Sequence, residues 1–167
     1  MKQIKLINSD LFTIIDDEDY LKVCRYKWRY FQFKTRTPYI TAYIKEYRQN
    51  IFLHRFIMNL KSGDKNQVDH KNRNTLDNRK ENLRLADIFL NNINKGILKN
   101  NTSGYKGVSW HKYNQKWYAQ TSFHNKRIHL GYFNSAREAA LAYNKKAKEL
   151  FGEYAYLNKI RERPVKI

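Results

Sequence analysis

The sequence predicts an α+β fold in two units. A small N-terminal antiparallel sheet leads into a strand, loop, strand and helix that could enclose one ion; a three-stranded antiparallel sheet packed on one C-terminal helix follows. Three observations predict it. Most apolar residues lie in short aromatic and β-branched segments separated by turn formers, as in antiparallel sheets. Helix signals are few, beginning near Asp16, Asp87 and Ser135. Between Asn92 and Ser103 the composition turns polar and basic (N-I-N-K-G-I-L-K-N-N-T-S), which marks a boundary.

Composition bounds the function classes. A chain of 167 residues with 41% hydrophobic and 15% aromatic content can form one domain or two small ones, each with a packed core. Thirty-three Lys and Arg against 15 Asp and Glu give a formal charge of +18. So large an excess repels itself unless a polyanion binds, which makes nucleic acid the default partner. Cys24 is the single cysteine, so neither a disulfide framework nor a Cys-x-x-Cys zinc ribbon is available, and a reducing compartment fits. No run approaches a membrane span, and the N-terminal M-K-Q-I-K-L-I-N lacks the apolar core and cleavage site of a signal peptide. The expectation is a cytoplasmic protein without a membrane or an evident protein partner, and a monomer.

Residues 1–50 read as an α+β lead-in. Ile4–Ile7 and Phe12–Ile15 are short strand candidates; the acids of Asp16–Tyr20 suit the positive end of a helix dipole. Trp28–Thr35, Pro38–Tyr47 and Asn50–Leu53 are rich in aromatic and β-branched residues, as strands are. Their interleaved Lys and Arg could follow a DNA backbone; an ordinary sheet with a solvated outer face accounts for any one of them equally well.

The stretch from Val68 to Asn91 (V-D-H-K-N-R-N-T-L-D-N-R-K-E-N-L-R-L-A-D-I-F-L-N) crowds polar residues between short apolar runs. Strand alternation points Asp69 and His70 to opposite faces, so both can serve one site only if a turn begins right after them. The Asn-rich K-N-R-N-T-L-D-N supplies that turn. Leu83-Arg84-Leu85 returns as a strand, and Asp87 can cap a helix from Ile88 that sets Asn91 in its first turn, facing the hairpin. Asp69 and the amide oxygen of Asn91 are hard oxygen donors suited to Mg²⁺. His70, neutral near physiological pH, is the natural general base. Phosphodiester cleavage needs such a set: a cation on the phosphate, a base for water, and a scaffold holding both.

These residues resemble a family. Asp69-His70, Asn82 twelve residues after the histidine and Asn91 nine further on are similar to the HNH nuclease motif, in the Asp-His-Asn-Asn form of phage and intron homing endonucleases. L-H-R-F-I-M (53–58), V-D-H-K-N, L-D-N-R and N-L-R-L-A carry the same resemblance. It implies an HNH nuclease domain over residues 1–92, a ββα-metal unit preceded by the β-rich lead-in. His70 would be general base, Asp69 and Asn91 would hold Mg²⁺ or another divalent ion such as Mn²⁺, and Asn82 would brace the loop. The cell would be bacterial or phage-infected. Arg55, with His54, matches a pair the family carries and is a DNA-contact candidate; a packed histidine and a surface arginine explain the two nearly as well.

Residues 93–103 read as a basic linker, with Gly96 ending the preceding helix. In the second unit, 104–158, strands are expected at Tyr105–Trp110, Lys116–Phe123 and Arg127–Phe133, with turns at 112–115 and 124–126. Ser135 and Glu138 form a capping box, Gly152 ends the helix, and Ala136, Ala139, Ala140, Tyr143, Ala147 and Leu150 share one face. Alternation turns Trp117, Ala119, Thr121, Phe123, Ile128 and Leu130 to the helix. It turns Tyr118, Gln120, Ser122, Arg127 and His129 away. That polar, basic outer face fits a major groove of double-stranded DNA. Residues 159–167 are a basic tail.

This unit resembles the Apetala-two/ethylene-response-factor DNA-binding domain over nearly its whole length, through Y-K-G-V-S-W, K-W-Y-A-Q-T-S, I-H-L-G-Y-F, A-A-L-A-Y-N-K-K-A and F-G-E-Y-A-Y-L-N. The resemblance implies DNA-reading roles for Lys106, Gln120, Ser122, Arg127 and His129. Ser109, Ser122 and His129 stand where that family has arginine, arginine and tryptophan, so its target sequence does not transfer. Together the two resemblances imply a site-specific, metal-dependent DNA endonuclease of homing type. The alternative is a non-catalytic DNA-binding regulator with a relic nuclease fold.

Overall fold

The computed structural model describes residues 1–32 and 38–160, which divide into two compact units, Met1–Asn91 and Asn92–Ile167. The fold is α+β, with several small antiparallel sheets and a long C-terminal helix.

In the first unit β1 (Lys2–Lys5) pairs with β2 (Phe12–Ile15). The first strand ends earlier than the apolar run Ile4–Ile7 predicts. Leu6 is fully buried and already turns, donating to Leu11 O, while Ile7 N donates to Trp28 O. The acids 17–19 form a 3-10 turn that runs into the single-turn helix α1 (Tyr20–Val23). A second sheet has the order β3 (Arg29–Phe31), β4 (Tyr39–Ile44), β5 (Gln49–Phe52). The expected strand Trp28–Thr35 is shorter in its described part, and its residues 33–35 lie outside the described residues, as does most of the basic tail.

A short helix α2 (Leu53–Ile57) follows β5 directly, where no helix was expected. Leu53 and Ile57, four apart, both face the core, which is reason enough for one turn of helix. The core gathers Leu6, Ile15, Val23, Trp28, Ile40, Leu53, Ile57, Val68 and Leu83. Trp28 anchors it by donating its indole N–H to Val23 O at 2.9 Å. The hairpin β6 (Gln67–His70) and β7 (Leu83–Ala86) then leads into α3 (Ile88–Asn94), capped by Asp87 Oδ1 accepting from Leu90 N at 2.7 Å. This helix ends at Asn94, before Gly96.

The second unit holds β8 (Val108–His111), β9 (Lys116–Phe123) and β10 (Lys126–Phe133) in the order β10, β9, β8, with α4 (Ala136–Phe151) across one face. β8 starts later than expected because Gly107 has φ +75°, which interrupts the extended run. Phe123 pairs with Lys126 across His124 and Asn125, both at positive φ, the mark of a tight two-residue hairpin. Ser135 Oγ accepts from Glu138 N at 3.1 Å and Gly152 ends α4. Ala139, Ala140, Tyr143, Ala147 and Phe151 are its buried residues; Leu150 is only half-buried.

β10 carries a bulge between His129 and Gly131. The extra residue resets the alternation, so Tyr132 opposite Tyr118 returns to the outer face and Phe133 packs inward.

Candidate active site and nucleic-acid face

The β6 and β7 register sets the first site: Gln67 faces Ala86, Asp69 faces Arg84 and His70 faces Leu83. The chain turns immediately after His70, with Arg73 N donating to His70 O at 2.9 Å. Residues 71–82 form a loop built from short Asn side chains. Asn72 Oδ1 accepts from Asn74 N (2.8 Å) and Asn74 Oδ1 from Leu76 N (3.1 Å), each a local Asx turn. Asn82 ties the loop across its width, accepting from Asn72 N at 3.0 Å and donating to Asp77 O at 2.7 Å. Asp77 accepts from Asn72 and twice from Arg79, whose guanidinium holds its carboxyl below the usual carboxylate range.

β2 forms the back wall of this loop. Ile14 N donates to Leu76 O and Ile14 O accepts from Asn78 N, both at 2.8 Å, a parallel bridge between distant parts of the chain.

His70 is buried, with Nε2 3.2 Å from Asn78 Oδ1. Burial pulls its pKa down; the Asn78 hydrogen bond and the nearby Asp69 and Asp77 oppose this. The ring meets His54 edge to face, centroids 5.3 Å apart. His54, stacked on Phe52 and beside Tyr39, is pushed down to about 3, mainly by burial and then by His70 and Arg55. Both imidazoles are therefore neutral at physiological pH, the form in which a histidine accepts a proton.

Asp69 is also buried, and its Oδ2 accepts from Arg84 Nε (2.9 Å) and Nη2 (2.7 Å). Asn91 is half-buried and donates through Nδ2 to Gln67 Oε1 at 2.5 Å, leaving its amide oxygen as an acceptor. Gln67 and Asp69, two residues apart on β6, share a strand face, so Asn91 lies on the Asp69 side of the hairpin. Among the described residues no group of three or more His, Cys, Asp or Glu could hold a metal. One carboxylate and one amide oxygen suit instead a hard divalent ion that takes few protein ligands and completes its shell with water and phosphate. The donor chemistry at Asp69 and Asn91 fits such an ion.

Two sequence candidates are engaged elsewhere. Arg55 donates to Asn66 O (2.8 Å), Lys61 O (2.9 Å) and Asp64 O (3.4 Å), so its guanidinium ties down the loop after α2. Lys106 donates to Ile93 O (2.7 Å) and Lys95 O (2.6 Å) at the C-terminal end of α3, and lies over the Tyr156 ring. That ammonium meets carbonyls where the helix ends.

The other candidates share the outer face of the second unit's sheet. Arg127 pairs with Ser122 and His129 with Gln120; Arg127, Ser122 and His129 are exposed and Gln120 is half-buried. The bulge adds Tyr132, and β8 adds His111. Tyr118 and His129 stack at 4.9 Å, and Tyr132 meets His129 at 5.0 Å and His111 at 5.1 Å. Alternation alone missed Tyr132, because the bulge shifts the period. Asn78 and Arg84 lie in the D-N-R and N-L-R segments that carry the first resemblance; their contacts to His70 and Asp69 needed the strand register.

Comparison with known proteins bears on the first unit most directly. A family model described as HNH endonuclease matches residues 52–87, a span containing Asp69, His70 and Asn82 and ending before Asn91. The chain is 33% identical over 153 residues to an uncharacterized HNH endonuclease of Acanthamoeba polyphaga mimivirus, covering 89% of this chain and 75% of that protein. It is 33% identical over 88 residues to Protein 3.8 of Escherichia phage T7, covering 53% of this chain and 72% of that protein. It is 42% identical over 66 residues to Dehydration-responsive element-binding protein 2D of Arabidopsis thaliana, covering 38% of this chain and 32% of that protein. No solved structure matches significantly. With an HNH hairpin folded around Asp69 and His70, and a viral HNH relative aligned along most of both chains, this chain belongs to the HNH endonuclease family.

Proposed function

We propose that this protein is a site-specific, metal-dependent DNA endonuclease of homing type, in which His70 is the general base and Asp69 with Asn91 would hold the ion. HNH nucleases generally use a divalent metal ion, and Mg²⁺ or Mn²⁺ suits these oxygen donors. The observation that carries the reading is the tie of Asn91 through Gln67 back to the strand that ends in Asp69 and His70.

The chemistry asked of the chain is modest. Neutral His70 takes the proton of a water as its oxygen bonds to phosphorus and the P–O bond to the leaving oxygen breaks. Asn82 keeps the loop, and with it His70, in one geometry. A bound divalent ion would stabilise negative charge on the phosphate oxygens. The second unit is assigned the choice of site, through Gln120, Ser122, Arg127 and His129 on its outer face. The similarity to an element-binding plant protein supports this assignment. The excess positive charge supports double-stranded DNA as substrate.

Supercoiled and linear DNA carrying candidate insertion sites, incubated with Mg²⁺ or with EDTA, tests the reading. Cleavage with Mg²⁺ that is lost in EDTA and in His70→Ala, with DNA affinity kept, supports it. Binding without cleavage under any divalent ion would favour a DNA-binding regulator, and cleavage by His70→Ala at the wild-type single-turnover rate would remove His70 as the base.

A further inference from the structure

The geometry points to Asn78 as a positioning residue: it holds His70 as the Nε2–H tautomer, so that the Nδ1 lone pair is the one that takes the proton. The inference rests on the reading of His70 as general base.

The assignment follows from a closed chain of donors and acceptors. A carboxamide has one accepting end and one end with two N–H groups. Asn78 Nδ2 lies 2.9 Å from Thr75 O, a carbonyl that can only accept, so the nitrogen must face that way. Its second contact is Thr13 Oγ1 at 3.0 Å. The Thr13 hydroxyl proton is committed to Leu76 O at 2.9 Å, so Thr13 accepts from Asn78. Both amide protons are thereby used. The end facing His70 Nε2 at 3.2 Å is Oδ1, which can only accept. A neutral imidazole has one N–H, and facing an acceptor that N–H sits on Nε2, leaving the lone pair on Nδ1.

The opposite tautomer would oppose two lone pairs in a site where Asn78 is 1% and His70 5% exposed. Leaving such buried groups unpaired is costly. The orientation of Asn78 is fixed by β2, through Ile14 O and the Thr13 side chain, some 64 residues away in sequence. The His54 ring, edge to face at 5.3 Å, limits rotation of the His70 ring. The N-terminal hairpin thus orients the base although it supplies no group to the reaction.

The full-length protein labelled with ¹⁵N-histidine, in EDTA at about pH 8 where imidazoles are neutral, reports the tautomer by long-range ¹H–¹⁵N correlation. The His70 signals are those missing in His70→Ala. Nε2–H is expected in the wild type. Asn78→Leu should give a mixture of tautomers, with kcat lowered about 10- to 100-fold and KM for DNA nearly unchanged. Nδ1–H in the wild type overturns the inference whether or not the variants fold. A wild-type tautomer in folded Asn78→Leu overturns it too. Cleavage by His70→Ala would instead strike the base assignment, which the spectrum does not depend on.

Discussion

Arg84 lies directly across the hairpin from Asp69 and places two nitrogens, Nε at 2.9 Å and Nη2 at 2.7 Å, on the same carboxylate oxygen. Both side chains are buried, each 7% exposed, so the guanidinium balances an anion that would otherwise sit desolvated. Removing it should destabilise the metal-free protein by about 3–5 kcal/mol, because Asp69 is left buried and unpaired. If Asp69 holds the ion as proposed, added Mg²⁺ should raise the stability of Arg84→Met more than that of the wild type. Urea unfolding of both proteins in EDTA and in Mg²⁺ measures this. Equal stability in EDTA would show that the pair does not balance the carboxylate.

His54 predicts a pH dependence of stability. Its folded pKa, about 3, lies below the ordinary 6.5, so on acidification the unfolded chain takes up a proton first. The contribution is fully present above about pH 6.5 and is lost as pH falls from there toward about 3, on the order of 3–5 kcal/mol in all. The slope should be reduced but not abolished in His54→Gln, because burial lowers His70 as well and Arg79 lowers Asp77. Chemical denaturation at several pH values checks it, and an unchanged slope in His54→Gln would sink the assignment.

How much of this was legible beforehand depends on the range of the interaction. The strand, loop, strand and helix around Asp69 and Asn91 follow from local signals: period-two apolar residues, Asn-rich turn chemistry and a capping Asp87. So does α4, with Ser135 at one end and Gly152 at the other. Asn78 was not legible as a partner of His70, because its orientation comes from Thr13 and Ile14 far earlier in the chain. The carbonyl partners of Lys106 and Arg55 were not legible either, because an isolated cation carries no sign of them. Tyr132 was hidden by a bulge, which no two-residue period can reveal.

Gly107 gives a sharp test of the second unit's packing. A Cβ there would lie 2.2 Å from Tyr143 Cδ2 and 2.6 Å from Gln120 O, at a φ of +75° that side chains rarely adopt. The backbone cannot retreat cheaply, because Gly107 O accepts from Gln120 N at 2.9 Å. Gly107→Ala should therefore cost about 2–4 kcal/mol through overpacking and strain. Amide exchange in β8 and β9 should accelerate accordingly, and wild-type protection in the variant would show that the approach of strand to helix is loose.

Arg127 and Lys126 separate base reading from phosphate attraction on the same hairpin. Arg127 shares the outer face with Ser122, Gln120 and His129, where a planar guanidinium can make two parallel hydrogen bonds to a guanine edge. Arg127→Ala should cost about 1–3 kcal/mol at one base position and leave mismatched duplexes less affected. Lys126 opens β10 beside the turn and its alternation points it off that face, so it is suited to a phosphate. Lys126→Ala should weaken all duplexes alike and lower the slope of log affinity against log salt by about one. Titrations of matched and mismatched duplexes at several salt concentrations distinguish the two. An equal loss for every duplex on Arg127→Ala would make Arg127 a backbone contact, and recognition by this sheet face would then have to rest on Gln120 and His129.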